Sequence, residues 1–409
     1  MSLYCMKRCI WSVLIVGFPV LLSESYAMPV EGAAGDSAVH LTDSNTVFAV
    51  SLYKELKSIE GNLFFAPFSI STAFAMTYAG ARGTTEKQIA QVLHFDTDQK
   101  KLHAAFAELH KQVNGIQKEG AVTLYSANSA WLQQKFAFIP DYLSLVKDSY
   151  GAVLRNVNFK KPEKARKAIN TWVEEQTKDK IKNLVKKGLI DKLTRLVLAN
   201  AVYFKGTWAY RFDTASTHDA PFYLNNEDHI TVPMMHQKTR FNYTADSLCQ
   251  ILEMPYTGGA VSMVIILPRE RDGLAQIEAH LQADSISRWL SGLQKQKVKV
   301  YIPRFTMTGD FLLSKTLSAM GMPEAFSKRA DFSGITRKTG IYISEVAHKT
   351  FIELNEEGTE AAAATAVLMR EYSVAEETEF CADHPFLFLI RENESGSILF
   401  LGRVVNPKI

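Results

Sequence analysis

Residues Leu196-Val-Leu-Ala-Asn-Ala-Val-Tyr-Phe204 are β-rich and carry no charge. Such a run reads as a central strand, in a sheet with both faces covered. Val261 to Leu267 is a second continuous apolar run, and Val298, Val300 and Ile302 alternate with Lys297, Lys299 and Tyr301 as in a half-exposed strand. Phe386 to Ile390 and Ile398 to Val405 flank a polar Glu-Asn-Glu-Ser-Gly turn and predict a hairpin. The N-terminal half is helical by pattern. Phe48, Leu52 and Leu56 follow a Thr42/Asp43 cap, Ile70 to Ala81 follows Pro67, and Leu102, Phe106, Leu109 and Val113 run up to Gly115. Pro162 opens a helix with Ala165, Ile169, Trp172 and Val173 on one face. Helices first and strands later predict an α+β fold with large mixed sheets.

Residues 1–27 read as a secretory signal: Lys7 and Arg8 start it, an apolar run of 13 residues extends from Ile10 to Leu22, and Ser25-Tyr-Ala27 offers small residues for cleavage. The run is short for a bilayer span, so an uncleaved anchor is the lesser alternative, and no other segment is long and apolar enough to cross. Residues 28–409 are expected to form a single domain, since no linker or repeat divides them. The chain carries 46 Lys+Arg and 43 Asp+Glu, a net +3, which falls to about +2 once Lys7, Arg8 and Glu24 leave with the signal. That balance gives no reason to expect nucleic acid. Cys5 and Cys9 leave too, and Cys249 and Cys381 are expected to be free. There is no Gly-x-Ser-x-Gly elbow, His-Glu-x-x-His pair or Walker loop, and the ten histidines lack metal spacing. We therefore expect no enzyme, metal or cofactor, with a secreted hydrolase as the remote alternative. Asn242 and Asn393 match the N-glycosylation pattern. Lys160, Lys161, Lys164, Arg166 and Lys167 cluster near a helix start, where a solvated face is the plainer reading and a heparin-like polyanion the weaker one.

Residues 355–369 resist a single assignment. Lys349-Thr-Phe-Ile-Glu-Leu354 reads as a strand, Gly358 should hinge the chain, and Thr359, Ala361, Ala363 and Thr365 then stand at every second position. A strand would put those small residues on one face, where they could slide between two existing strands. The same alanines favour a helix. A segment that can be loop, helix or strand is a candidate switch.

This stretch, Glu356-Glu-Gly-Thr-Glu-Ala-Ala-Ala-Ala-Thr365, resembles the hinge of a serpin reactive-centre loop. Asn62-Leu-Phe-Phe-Ala-Pro-Phe-Ser-Ile-Ser71, Asn200-Ala-Val-Tyr-Phe-Lys-Gly-Thr-Trp208, Asp331-Phe-Ser-Gly334, Glu345-Val-Ala-His-Lys349, His384-Pro-Phe-Leu-Phe388 and Gly402-Arg-Val-Val-Asn-Pro407 are similar to other serpin signatures, in the serpin order. Together they cover nearly everything from about residue 43 onward.

The resemblance implies an α+β serpin fold with three β-sheets, about nine helices and an exposed reactive-centre loop over about 358–380. It implies a secreted, extracellular inhibitor of serine proteases (periplasmic in a Gram-negative source), acting as a monomer, with cysteine proteases as a second target class. The loop is cleaved as a substrate, an acyl-enzyme forms, and the loop inserts as a strand before the ester is hydrolysed. The hinge would comprise Glu356, Glu357, Gly358, Thr359, Glu360, Ala361, Ala362, Ala363, Ala364 and Thr365. Counting fourteen residues from Gly358 puts the reactive bond at Tyr372–Ser373, suited to a chymotrypsin-like pocket. Arg370–Glu371 is the trypsin-directed competitor, and Leu368 and Met369 remain open. Ser69, Asn200 and His348 match the family's shutter, with Ala66 replacing a serine. Trp208, Arg304 and Glu356 match its breach, Arg304 standing for a lysine and permitting a bidentate bond. A non-inhibitory carrier or chaperone is the alternative within the family.

Overall fold

The structure, a computed structural model, describes residues 32–118, 122–338, 340–359 and 377–408. Among them are nine α-helices: α1 (Gly32–Leu56), α2 (Pro67–Tyr78), α3 (Gly83–Leu93), α4 (Gln99–Lys118), α5 (Pro140–Tyr150), α6 (Pro162–Gln176), α7 (Leu274–His280), α8 (Ala283–Ser291) and α9 (Ser314–Ala319). The early strands are β1 (Leu63–Phe65), β2 (Val122–Gln133), β3 (Val153–Val157), β4 (Leu196–Thr207), β5 (His218–Tyr223), β6 (His229–Ala245), β7 (Cys249–Pro255) and β8 (Val261–Pro268). The later ones are β9 (Gln294–Pro303), β10 (Phe305–Leu312), β11 (Ile343–Asn355), β12 (Gly358–Thr359), β13 (Thr378–Cys381), β14 (Phe386–Glu392) and β15 (Ile398–Val404).

Two helix boundaries differ from the sequence reading. α1 begins upstream of Thr42 and Asp43, which lie inside it; the Thr46 hydroxyl donates to the Thr42 carbonyl at 3.0 Å, a bond within the helix. Cap residues cap only where the preceding backbone leaves the helix. α4 passes through Gly115 to Lys118 because Ile116 still packs on the core.

β4 is covered on both faces, as its composition requires. Val197, Ala199, Ala201 and Tyr203 join Trp131, Phe159 and Trp172 in a cluster beneath α6. Leu196, Leu198, Val202 and Phe204 face the main core. Asn200 is the polar break in that second row. The sheet containing β4 runs β10-β11-β12-β4-β2-β3. The other runs β1-β15-β14-β8-β7-β6-β9-β13, with β5 on β6. The resemblance implied three sheets; among the described residues two of them are continuous through β6, which meets β7 only over Asn242–Ala245.

β11 and β4 pair directly and in parallel from Ile343/Leu196 to Phe351/Tyr203. Beyond Phe351 they part, and β12 fills the fork, pairing antiparallel to both.

Gly309 on β10 sits where a Cβ would fall 1.8 Å from the Phe64 carbonyl oxygen, which already accepts the Thr350 hydroxyl at 2.7 Å. Gly309→Ala should therefore lower the thermal unfolding midpoint, with an overpacking cost of roughly 1–3 kcal/mol. Gly115→Ala, at an open helical position, should raise it through up to about 1 kcal/mol of helix propensity. Paired melting curves check both.

Candidate functional site: a forked sheet and its polar latch

At the top of the fork the backbone passes so close to β4 that only glycine fits. Gly358 has φ of 144°, and a Cβ there would meet the Gly206 carbonyl oxygen at 2.1 Å. Thr359 is fully buried, and its hydroxyl shares a 2.9 Å hydrogen bond with the Tyr256 hydroxyl. Tyr256 stacks on Trp208 at 4.5 Å between centroids. Trp208 Nε1 donates to the Asn355 carbonyl at 3.1 Å, and its backbone N–H donates to Glu357 O at 2.8 Å. The strand leaving β11 is thus held from both sides before it turns into the fork.

Glu356 anchors the same turn. Its carboxylate is buried, accepts the Thr217 hydroxyl at 2.7 Å and pairs with Arg304. Burial alone would push its pKa up, but the hydrogen bonds from Arg304 and Thr217 outweigh it and hold the carboxyl below its ordinary range. The pair expected from sequence is formed, but through one nitrogen: Arg304 Nη2 and the Thr217 hydroxyl both meet Oε1.

Lower down, where β11 and β4 touch, a polar latch interrupts the apolar packing. Asn200 Nδ2 donates to the Ser69 hydroxyl at 2.8 Å and to Asn128 Oδ1 at 2.6 Å; Ser69 Oγ donates to Asn128 Oδ1 at 2.9 Å. His348 Nδ1 lies 2.5 Å from Asn200 Oδ1, while the Ala66 N–H donates to His348 Nε2 at 3.0 Å. That donor fixes Nε2 as an acceptor and puts the imidazole proton on Nδ1. The alanine at 66 removes no bond to His348, since the main chain supplies it. Ser69, Asn200 and His348 therefore come together as expected. Asn128 was missed: nothing in its local sequence marks it, and only the β2–β4 register, Asn128 opposite Asn200, brings it in.

Glu360, Ala361, Ala362, Ala363, Ala364, Thr365, Arg370, Glu371, Tyr372 and Ser373, and the signal at 1–27, lie outside the described residues. The chain resumes at Glu377, which bonds to Lys238 and lies 2.9 Å from Lys299 Nζ. These bonds hold its pKa down at about 2. Cys249 and Cys381 are both free. Among the described residues no cluster of three metal-ligating side chains occurs. Asn242 Nδ2 donates to Glu253 at 2.8 Å and Asn393 Nδ2 to Gly259 O at 2.8 Å, so a glycan at either would displace a bond.

The sequence profile described as Serpin (serine protease inhibitor) matches residues 43–407. The leukocyte elastase inhibitor of Sus scrofa is 44% identical over 90% of this chain and 99% of its own. Among solved structures, Serpin48 of the insect Tenebrio molitor is 34% identical with a TM-score of 0.81, over 93% of this chain and 99% of its own. Human thyroxine-binding globulin is 31% identical with a TM-score of 0.84, over 91% and 100%.

The latch should make the sheet acid-sensitive. Burial lowers the His348 pKa from 6.5 to about 3, so the folded protein keeps the ring neutral while the unfolded chain protonates it. Stability is fully present above pH 6.5 and is lost as pH falls towards 3, by up to roughly 1.4 kcal/mol per pH unit. His103 and His110, each held at about 4, add to the slope. His348→Gln should leave a shallower pH dependence of denaturant stability between pH 6.5 and 4 than the parent's; equal slopes would contradict the assignment.

Proposed function

The chain belongs to the serpin family, and on that premise we propose that it inhibits serine proteases by a one-shot insertion trap. The observation that carries this is β12. Two residues of the loop's N-terminal arm, Gly358 and Thr359, already lie between β11 and β4, and directly below them the same two strands close directly on each other with nothing between. Continued at a strand's period of two, Ala361, Ala363, Thr365, Val367 and Met369 share the face of Thr359. Small side chains come first, where the fork must open. Each inserted residue exchanges one parallel β11–β4 pairing for antiparallel pairings on both sides, which are slightly stronger per residue. Net hydrogen bonding of roughly 0.5–1.5 kcal/mol per bond nearly matches an ordering cost of about 1–2 kcal/mol per residue. Burial of Val367 and Met369, worth about 1.5–3 kcal/mol each, tips the balance.

In the trap, the protease's serine oxygen bonds to the carbonyl carbon of the scissile residue. The amide C–N bond breaks, and the new amine leaves protonated on the following residue. We place that bond at Tyr372–Ser373, with Arg370–Glu371 as the trypsin-directed competitor. Insertion of the freed arm would then drag the esterified protease away and distort its active site before water attacks. The latch and the Glu356–Arg304 pair hold the fork until cleavage, in the roles of shutter and breach. We also propose that residues 1–27 direct secretion, so the extracellular protein should begin at Met28 by N-terminal sequencing.

A second reading has a specific support. Thyroxine-binding globulin shares the fold, and its name describes a carrier. The hinge separates the two: a carrier has no need of the small residues at 359 and 361–365.

Four measurements bear on this. Thr359→Arg places a charge in a dry interior at a cost of several kcal/mol. The variant should be cleaved and released with no gel-stable complex, and the parent, once cut between Ala366 and Phe380, should melt at a higher temperature than the intact form. An unchanged or lowered midpoint favours the carrier. For specificity, the C-terminal fragment released by chymotrypsin should begin at Ser373, and Tyr372→Ala should weaken inhibition by about 2 kcal/mol, roughly thirtyfold. A fragment beginning at Glu371 moves the bond to Arg370.

A further inference from the structure

The outer face of the β6–β9 pair is a ladder of cations. Register sets Lys238 opposite Lys299, Arg240 opposite Lys297 and Asn242 opposite Lys295. Residues directly opposite one another share a face, and on β9 the alternate residues Val298, Val300 and Ile302 are buried, which turns the cations to solvent. Like charges on facing positions destabilise a sheet. Among the described residues relief comes at one end only, where Glu377 bonds Lys238 and Lys299, and Glu379 stands across from Lys299. Arg240, Lys295 and Lys297 form no ion pair with any described residue. No described residue explains why they stand together.

We propose that Arg240, Lys295 and Lys297 form a docking surface for an acidic patch beside the active-site cleft of the target protease. The proposal rests on the reading of the loop as bait, and chain length fixes its location. Ser373 precedes Glu377 by four residues, at most about 14 Å of extended chain. Glu377 is itself bonded into the ladder. A protease engaged at Tyr372–Ser373 is therefore held within that reach of the ladder's Glu377 end. Paired with carboxylates there, the cations speed encounter, by an amount that salt screens.

The test uses chymotrypsin and chymotrypsin whose surface lysines have been succinylated, which replaces cations by carboxylates. At 50 mM NaCl the parent should form covalent complex roughly tenfold faster with the succinylated enzyme, and 500 mM NaCl should erase the preference. Arg240→Ala/Lys295→Ala/Lys297→Ala should lose the preference at low salt without a lowered melting midpoint. Lys160→Ala/Lys161→Ala/Lys164→Ala, an equal charge loss at the start of α6, should keep it. A ladder variant that retains the parent's preference overturns the proposal, as does a control that loses it equally. Retained preference with lost heparin retention would assign the ladder to a polyanion instead. Should the protease only cleave the loop, with no complex, trapping fails; the same comparison on cleavage rates still decides whether the ladder docks the enzyme.

Discussion

The parallel pairing of β11 with β4 is the interaction on which the rest of this molecule turns. It closes the centre of a sheet that is covered by α6 on one side and by the main core on the other. A central seam of that kind is normally the least negotiable part of a domain. Here it stops short, and β12 occupies the gap above Phe351 and Tyr203. The side-chain bonds at the seam are polar rather than apolar. His348, Asn200, Asn128 and Ser69 bond to one another across β11, β4, β2 and α2. Such bonds hold the seam in one register while they are all made, and a fully satisfied buried network favours a unique arrangement. Their net worth against alternative partners is small, about a kcal/mol each, so a strand bringing its own hydrogen bonds can replace them.

The two ends of the loop segment are tied down by opposite means. On the N-terminal side Thr359 on Tyr256 and Tyr256 on Trp208 are dry ties, and a buried Glu356 is bonded by Thr217 and by a half-exposed Arg304. On the C-terminal side Glu377 is solvent-facing between two lysines. Salt screens the Glu377 bonds and hardly touches the buried Thr359–Tyr256–Trp208 ties. The two ends can thus be perturbed separately, the upstream end by mutation in the fork and the downstream end by ionic strength.

The sheet also explains why glycines gather where strands pass closely. Gly206 leaves room for the Tyr256 ring, Gly358 for the backbone of β4, and Gly309 for the Phe64 carbonyl. Each is a packing requirement of a crowded seam; only Gly358 among these three also needs its positive φ.

Much of the fold was legible in the sequence because it depends on local pattern. The uncharged Leu196–Phe204 run had to be a central strand, the alternation around Val298 a half-exposed one, and the apolar segment after Pro67 a buried helix. The family signatures, read in order, brought Ser69, Asn200, His348, Trp208, Arg304 and Glu356 forward as a set. Pattern failed where a local signal was overruled by packing. Thr42 and Asp43 look like a cap but lie inside α1, and Gly115 does not end α4 because Ile116 still finds the core. Three further features were decided only by tertiary structure. Asn128 joins the latch through strand register, Arg304 bonds Glu356 through one nitrogen at an oxygen that Thr217 shares, and five cations from two strands fall on one face of β6 and β9. Composition records how many charges a chain has, but which of them become neighbours is set by pairing between residues some sixty positions apart, and no local pattern encodes that.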